Sequence, residues 1–192
     1  MKSKLFAILL LLILNSCKIN GSFQGLYSYY KVTKKTNPEL FVTDGIHCEL
    51  KNVGIPKVYP INGFQLKKCI NTAEYAVVYL WSPKCTSIQC IPLEIIASKC
   101  KNEQIQLSIV AQYYDADTMS KTYNIEEPIF GIDTKYYRSN LTPIYLKKFI
   151  ADLTSKTNPE NKKFLLFKKG QFINSFDSFD TLEFEYFKNK TK

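Results

Sequence analysis

Residues 81–90 read WSPKCTSIQC, and Cys85 and Cys90 stand five positions apart. The thiolate is the form of cysteine that attacks other sulfurs and binds metals, so a close pair is a candidate for redox exchange or metal binding. Cys85 is expected at the start of a helix, where free N–H groups and the helix dipole favour the thiolate. Lys84 beside it adds positive potential. Cys85 is therefore the candidate nucleophile, Cys90 the candidate resolving thiol and Lys84 the activating residue. Spacing sets a condition. Five residues along an ideal helix separate Cα atoms by roughly 8–9 Å, beyond the ~7 Å that a disulfide tolerates. A Cys85–Cys90 bond requires the first helical turn to unwind or to begin later, and Pro92 weakens that turn.

Four more cysteines complete the set: Cys17, Cys48, Cys69 and Cys100. Cys48 and Cys69 form a candidate structural disulfide, with connectivity open at the level of sequence. Cys100 closes a helix-like run and reads as core. His47 is the only histidine, and no ligand set for a metal or cofactor is expected. Asp115, Asp117 and Asp133 lie in loop-like stretches and read as turn formers. No nucleophile elbow, phosphate loop or dinucleotide glycine pattern is present.

The compartment decides what such cysteines mean. The chain opens MKSKLFAILLLLILNSC: two lysines, then an apolar stretch from Leu5 to Leu14 too short to span a bilayer comfortably. Leu14-Asn15-Ser16-Cys17 resembles a bacterial lipobox. That resemblance implies cleavage before Cys17, lipidation of its sulfur and usually acylation, for example by palmitate, of its amine. It divides the chain into a signal peptide (1–16), a membrane tether (17–38) and a domain (39–192), and it implies a lipid-anchored protein of the bacterial cell envelope. An oxidising envelope favours disulfides. The chain carries 26 Lys and Arg against 17 Asp and Glu. The basic pairs are spread along it with no basic helix interleaved with aromatics, which argues against nucleic acid and for a solvated surface that favours anionic lipid headgroups.

The elements that must position the cysteines follow from pattern. AVVYLW (76–81) is a continuous β-branched and aromatic run, the mark of a strand buried on both faces. HCELKNV and FQLKKCI read as short strands separated by the turn-rich GIPKVYPING. Residues 87–101 carry Ile88, Ile91, Ile95 and Ile96 at helical spacing, with a kink expected at Pro92. IQLSIVAQYYD is a second buried strand, ADTMSKTYN a short helix and PIFGID a third strand. LTPIYLKKFIADLTSK is an amphipathic helix with Ile144, Leu146, Phe149, Ile150 and Leu153 on its apolar face. KFLLFKKGQFINSF reads as a hairpin turning at Lys168-Lys169-Gly170, and TLEFEYFKNK as a closing helix. Leu26 to Tyr30 could dock on the domain from the tether. Alternating strands and helices argue for an α/β sheet with helices on both faces, and chemistry in such sheets sits beyond the carboxyl ends of strands, where WSPKC falls.

This order, with a cysteine after a buried strand and a late FLLFKKG hairpin, resembles the thioredoxin-like superfamily over roughly residues 60–187. Trp81 and Cys85 keep the tryptophan-to-cysteine spacing of thioredoxins, and Pro92 falls near the proline of the same helix. The insert carrying YYD and GID is closer to TlpA-like envelope reductases and to peroxiredoxins. Three positions depart from the pattern: Ile88 stands where the second cysteine of a CxxC would fall, Lys162 where the cis-proline would, and Tyr79 where a buried acid would. Ser82-Pro83-Lys84-Cys85-Thr86 with Cys90 is similar to the motif of Q-type peroxiredoxins, for which Arg138, the only arginine, is the candidate activating residue. The resemblance implies a thioredoxin-like central mixed sheet flanked by helices, thiol–disulfide exchange through the Cys-x4-Cys pair, and a thiol-containing protein as substrate. A noncatalytic envelope binding or assembly module of the same fold is the alternative reading, and a thiol peroxidase a further one.

Overall fold

The computed structural model describes residues 25–42, 48, 51–52, 54–85 and 90–182. Its elements run α1 (Tyr30–Thr36), a 3-10 turn at Pro38–Leu40, β1 (Val58–Ile61), α2 (Gly63–Ile70), β2 (Tyr75–Trp81), α3 (Leu93–Asn102), β3 (Gln106–Ala111), α4 (Ala116–Met119), β4 (Ile129–Ile132), α5 (Thr142–Thr154), β5 (Phe164–Lys168), β6 (Gln171–Phe176) and α6 (Phe179–Leu182). One six-stranded sheet orders them β1-β4-β3-β2-β5-β6. β1, β4, β3 and β2 are parallel, whereas β5 and β6 are antiparallel to their neighbours. The chain is an α/β protein with a mixed sheet.

β2 occupies the interior of that sheet, between β3 and β5, as its unbroken apolar run requires. Val78 and Leu80 face one side, into a cluster with Leu66 and Ile70 of α2 and Leu146, Phe149, Ile150 and Leu153 of α5. Val77, Tyr79 and Trp81 face the other, with Leu93, Ile96 and Cys100 of α3, Met119 of α4 and Phe179 of α6. Helices therefore cover both faces. The β5–β6 hairpin turns through Lys169 and Gly170, both at positive φ (49° and 71°), the conformation a tight hairpin turn needs.

Several local expectations change. FQLKKCI is the helix α2, started by a capping box in which Asn62 accepts from the Gln65 backbone N–H and Gln65 accepts from that of Asn62. The turn-rich GIPKVYPING contains β1; Pro60 is tolerated because β1 is the last strand of the sheet, where one side of the ladder is open. The helix expected over 87–101 begins at Leu93, and Pro92 is its N-cap rather than a kink within it. Ile95 and Ile144, placed on apolar faces, are exposed, and Tyr145 is wholly buried instead. HCELKNV falls mostly outside the described residues, as do Ile88 and most of TLEFEYFKNK.

Leu26 to Tyr30 dock on the domain. Thr142 N–H donates to Leu26 O, Ser28 N–H to Asn140 O and Tyr114 N–H to Ser28 O, each at 2.8–2.9 Å. Tyr30 then packs edge-on against Phe41 and Tyr114. Among the described residues, no helix is long and apolar enough to cross a membrane.

Candidate functional site: the Cys85–Cys90 loop

The parallel strands β2, β3 and β4 deliver three loops to one end of the sheet: Ser82–Cys85, Gln112–Asp115 and Asp133–Leu141. Cys85 lies in the first, four residues past Trp81, so its position follows from where the buried run of β2 ends. Its N–H donates to Ser82 O at 3.0 Å, closing a turn over Pro83, which is buried. Cys85 and Cys90 are disulfide-bonded, with Cα atoms 5.8 Å apart, and both are half-buried. That separation is shorter than the roughly 8–9 Å that five helical residues would impose. The condition read from the spacing is met by the later start of α3: both cysteines precede the helix. Cys85 consequently does not stand at the N-terminus of α3, because Leu93 lies eight positions on. The dipole of α3, which acts within its first turn, does not reach the Cys85 sulfur.

Lys84 is engaged elsewhere. Its Nζ sits 2.8 Å from Asp115 Oδ2, and its backbone N–H donates to the Tyr113 hydroxyl at 3.0 Å. The hydrogen bond and charge of Asp115 hold the Lys84 ammonium above its ordinary pKa. Burial pushes the Asp115 carboxyl up, but hydrogen bonds from Lys84 and Thr118 outweigh it and hold the group below the usual carboxylate range. Asp115, expected as a turn former, is thus both the N-cap of α4 and the partner of the residue beside Cys85. Sequence reasoning missed that pairing, since the two residues are 31 positions apart and meet only because β2 and β3 are adjacent and parallel.

Beneath the loop, Trp81 is buried and meets Tyr123 edge-on at 5.7 Å. Tyr79 stacks on Phe164 at 4.7 Å, and burial pushes its hydroxyl up to about 12. No carboxylate occupies that position. Lys162 carries an ion pair to Glu160, and no cis peptide bond occurs among the described residues. Arg138 is exposed in the turn after β4.

Cys48 and Cys69 are also bonded, with Cα atoms 4.8 Å apart, joining an exposed point of the chain to the last turn of α2. A cleft of about 410 Å³ lies beside them, lined in part by Gln104, Glu126 and Glu127. Cys100 is a free, buried thiol; burial, then the charge of Glu127, pushes it up to about 12. His47, Cys17 and Thr86 lie outside the described residues. Among the described residues no three His, Cys, Asp or Glu side chains gather as a metal site would need. Comparison of the chain with protein-family models, with curated proteins and with solved structures finds no match.

Proposed function

We propose that this chain is a membrane-anchored, thioredoxin-like thiol–disulfide protein of the bacterial envelope, acting through Cys85 and Cys90 and lipidated at Cys17. The observation that carries the proposal is a half-buried Cys85–Cys90 disulfide just past the carboxyl end of the central strand. Chemistry in open α/β sheets collects at that position. The α4–β4 unit, which inserts β4 between β3 and β1, supports the likeness to TlpA-like proteins.

The exchange moves two electrons. A substrate thiolate attacks one sulfur of the Cys85–Cys90 bond and displaces the other as a thiolate. The second thiol of the substrate, deprotonated, then breaks the mixed disulfide. The products are a substrate disulfide and two cysteine thiols, which take up the two protons the substrate released. The reverse runs when reduced Cys85 attacks a substrate disulfide and Cys90 resolves the intermediate. Both cysteines are half-buried and precede α3, and the paired Lys84 gives Cys85 less help than a free ammonium would.

That pairing, with α3 starting eight residues beyond Cys85, favours the second reading, a noncatalytic binding or assembly module in which the bond is structural. Alkylation mapping across a graded thiol redox buffer separates the two. The exchange reading requires Cys85 and Cys90 to titrate together while the Cys48–Cys69 bond stays closed, and Cys85 to alkylate the faster. A Cys85–Cys90 bond as resistant to reduction as Cys48–Cys69 leaves the module. Labelled palmitate incorporated by the native chain and lost in Cys17→Ala tests the anchor separately.

A further inference from the structure

The geometry points to a membrane-facing surface: the face formed by residues 26–32 and 136–144 seats on an anionic lipid bilayer. This rests on the reading of Cys17 as the anchored residue. Of the eleven large hydrophobic side chains exposed among the described residues, seven fall in these two stretches. Tyr27 and Leu141 are opposite one another in an antiparallel bridge, which turns both side chains to the same side. Ser28 points the other way, fully buried, with its hydroxyl on Asn140 Oδ1. Tyr27 and Leu141 therefore face outward, and Ile144 follows three residues along α5.

Charge around this apolar face is mostly positive, with one acid, Asp133, in the turn that carries Tyr136, where its carboxylate accepts from the Lys135 and Tyr136 backbone N–H groups. Residues 25–36 and 134–148 hold seven lysines and arginines and no Asp or Glu. Lys147 and Lys148 lie one turn beyond Ile144. The Nζ atoms of Lys34, from α1, and Lys135, from the turn after β4, each lie 5.7 Å from the centre of the Tyr30 ring, so the two basic stretches are side by side.

A bilayer fits this face better than a protein partner does. Gly25, just before the face, is eight residues from Cys17, so an anchored lipid is at most about 29 Å of extended chain from it. Basic side chains are drawn to anionic headgroups. Tyrosine, with an apolar ring and a polar tip, suits the depth between headgroup and acyl chain, and lysine stems reach past apolar surface to the phosphates. The same end of the sheet carries Cys85 and Cys90: Tyr114 N–H donates to Ser28 O, and Tyr113 receives the Lys84 N–H. Seated in this way, the protein presents its disulfide at the bilayer surface, to thiols of membrane-adjacent proteins.

The full-length chain, reconstituted with phosphatidylcholine vesicles with or without about a third phosphatidylglycerol, tests this through Tyr27→Trp, Ile144→Trp and, on the far edge strand, Ile173→Trp. Brominated lipid should quench the tryptophans at 27 and 144 at least about twofold in anionic vesicles, with Ile173→Trp and native Trp81 unchanged. Lys31→Glu with Lys35→Glu and Lys147→Glu should return the quenching to the level of neutral vesicles. Pelleting with vesicles in about 0.5 M salt, where surface charge is screened, reads the anchor alone. Pelleting without quenching at 27 and 144 overturns the surface and leaves the anchor. Quenching in low salt with pelleting lost in high salt supports the surface and removes the anchor. Equal quenching at 173, or a dimer that shields position 27 without lipid, overturns the proposal.

Discussion

Lys84 and Asp115 form an ion pair, Nζ to Oδ2 2.8 Å, that fastens the cysteine loop after β2 to the first turn of α4. The pair engages the charged residue next to Cys85 in the chain. Asp115→Asn keeps a good N-cap for α4, since asparagine caps as well as aspartate, and removes the carboxylate that occupies the Lys84 ammonium. Cys85 in the reduced variant should alkylate about threefold faster at neutral pH, through a lowered thiol pKa. An unchanged rate would mean that Lys84 does not reach Cys85 even when released. The folded Asp115 carboxyl lies below its unfolded value, so the stability it contributes is present above the usual carboxylate range and is lost as pH falls through the lowered value.

Cys48–Cys69 should carry the larger part of the disulfide stabilisation. It spans 21 residues against five for Cys85–Cys90, and the loss of loop entropy in the unfolded chain grows with span. Replacing both cysteines with alanine should cost about 2–4 kcal/mol and lower Tm by roughly 5–10 °C, read by thermal denaturation under oxidising conditions.

Gly63 brings α2 close against the backbone of α5. A Cβ there would collide with the Phe149 carbonyl oxygen and come 2.8 Å from the Leu153 nitrogen, and neither backbone group can swing aside. The Gly63 N–H donates to the Tyr137 hydroxyl at 2.8 Å, which itself donates to Asp152 at 3.0 Å. Gly63→Ala should destabilise by at least about 2 kcal/mol in chemical denaturation. Alanine ordinarily gains over glycine in a helix, so a stabilised variant would contradict the packing.

Cys100 should be silent in the folded protein. With its thiol pushed up to about 12, it carries almost no thiolate at pH 8 and is shielded in the core. Its alkylation should appear only with unfolding. The folded pKa lies above the unfolded one, so this group contributes stability below about pH 9 that is lost as pH rises toward 12. Cys100→Ala should flatten that alkaline loss, measured as denaturation midpoint against pH.

The local grammar of this chain was readable wherever one pattern excluded the others. AVVYLW could bury both faces only as an inner strand, KFLLFKKGQFINSF turns within Lys168-Lys169-Gly170, and a bond across the five-residue cysteine spacing required a first turn that unwinds or a helix that starts later, of which α3 shows the later start. FQLKKCI reads as a strand because Phe64, Leu66 and Ile70 fit alternation, but Leu66 and Ile70 also fit a helical face. The Asn62–Gln65 capping box and the space against α5 settled it as helix. Tertiary structure alone decided the surroundings of Cys85. The sequence puts Lys84 beside the cysteine and so reads it as an activator; the parallel pairing of β2 with β3 brings Asp115 to the same place and neutralises it. Residues adjacent in the chain are visible to a sequence reading, but the electrostatics of a loop depend on charges that the sheet delivers from elsewhere.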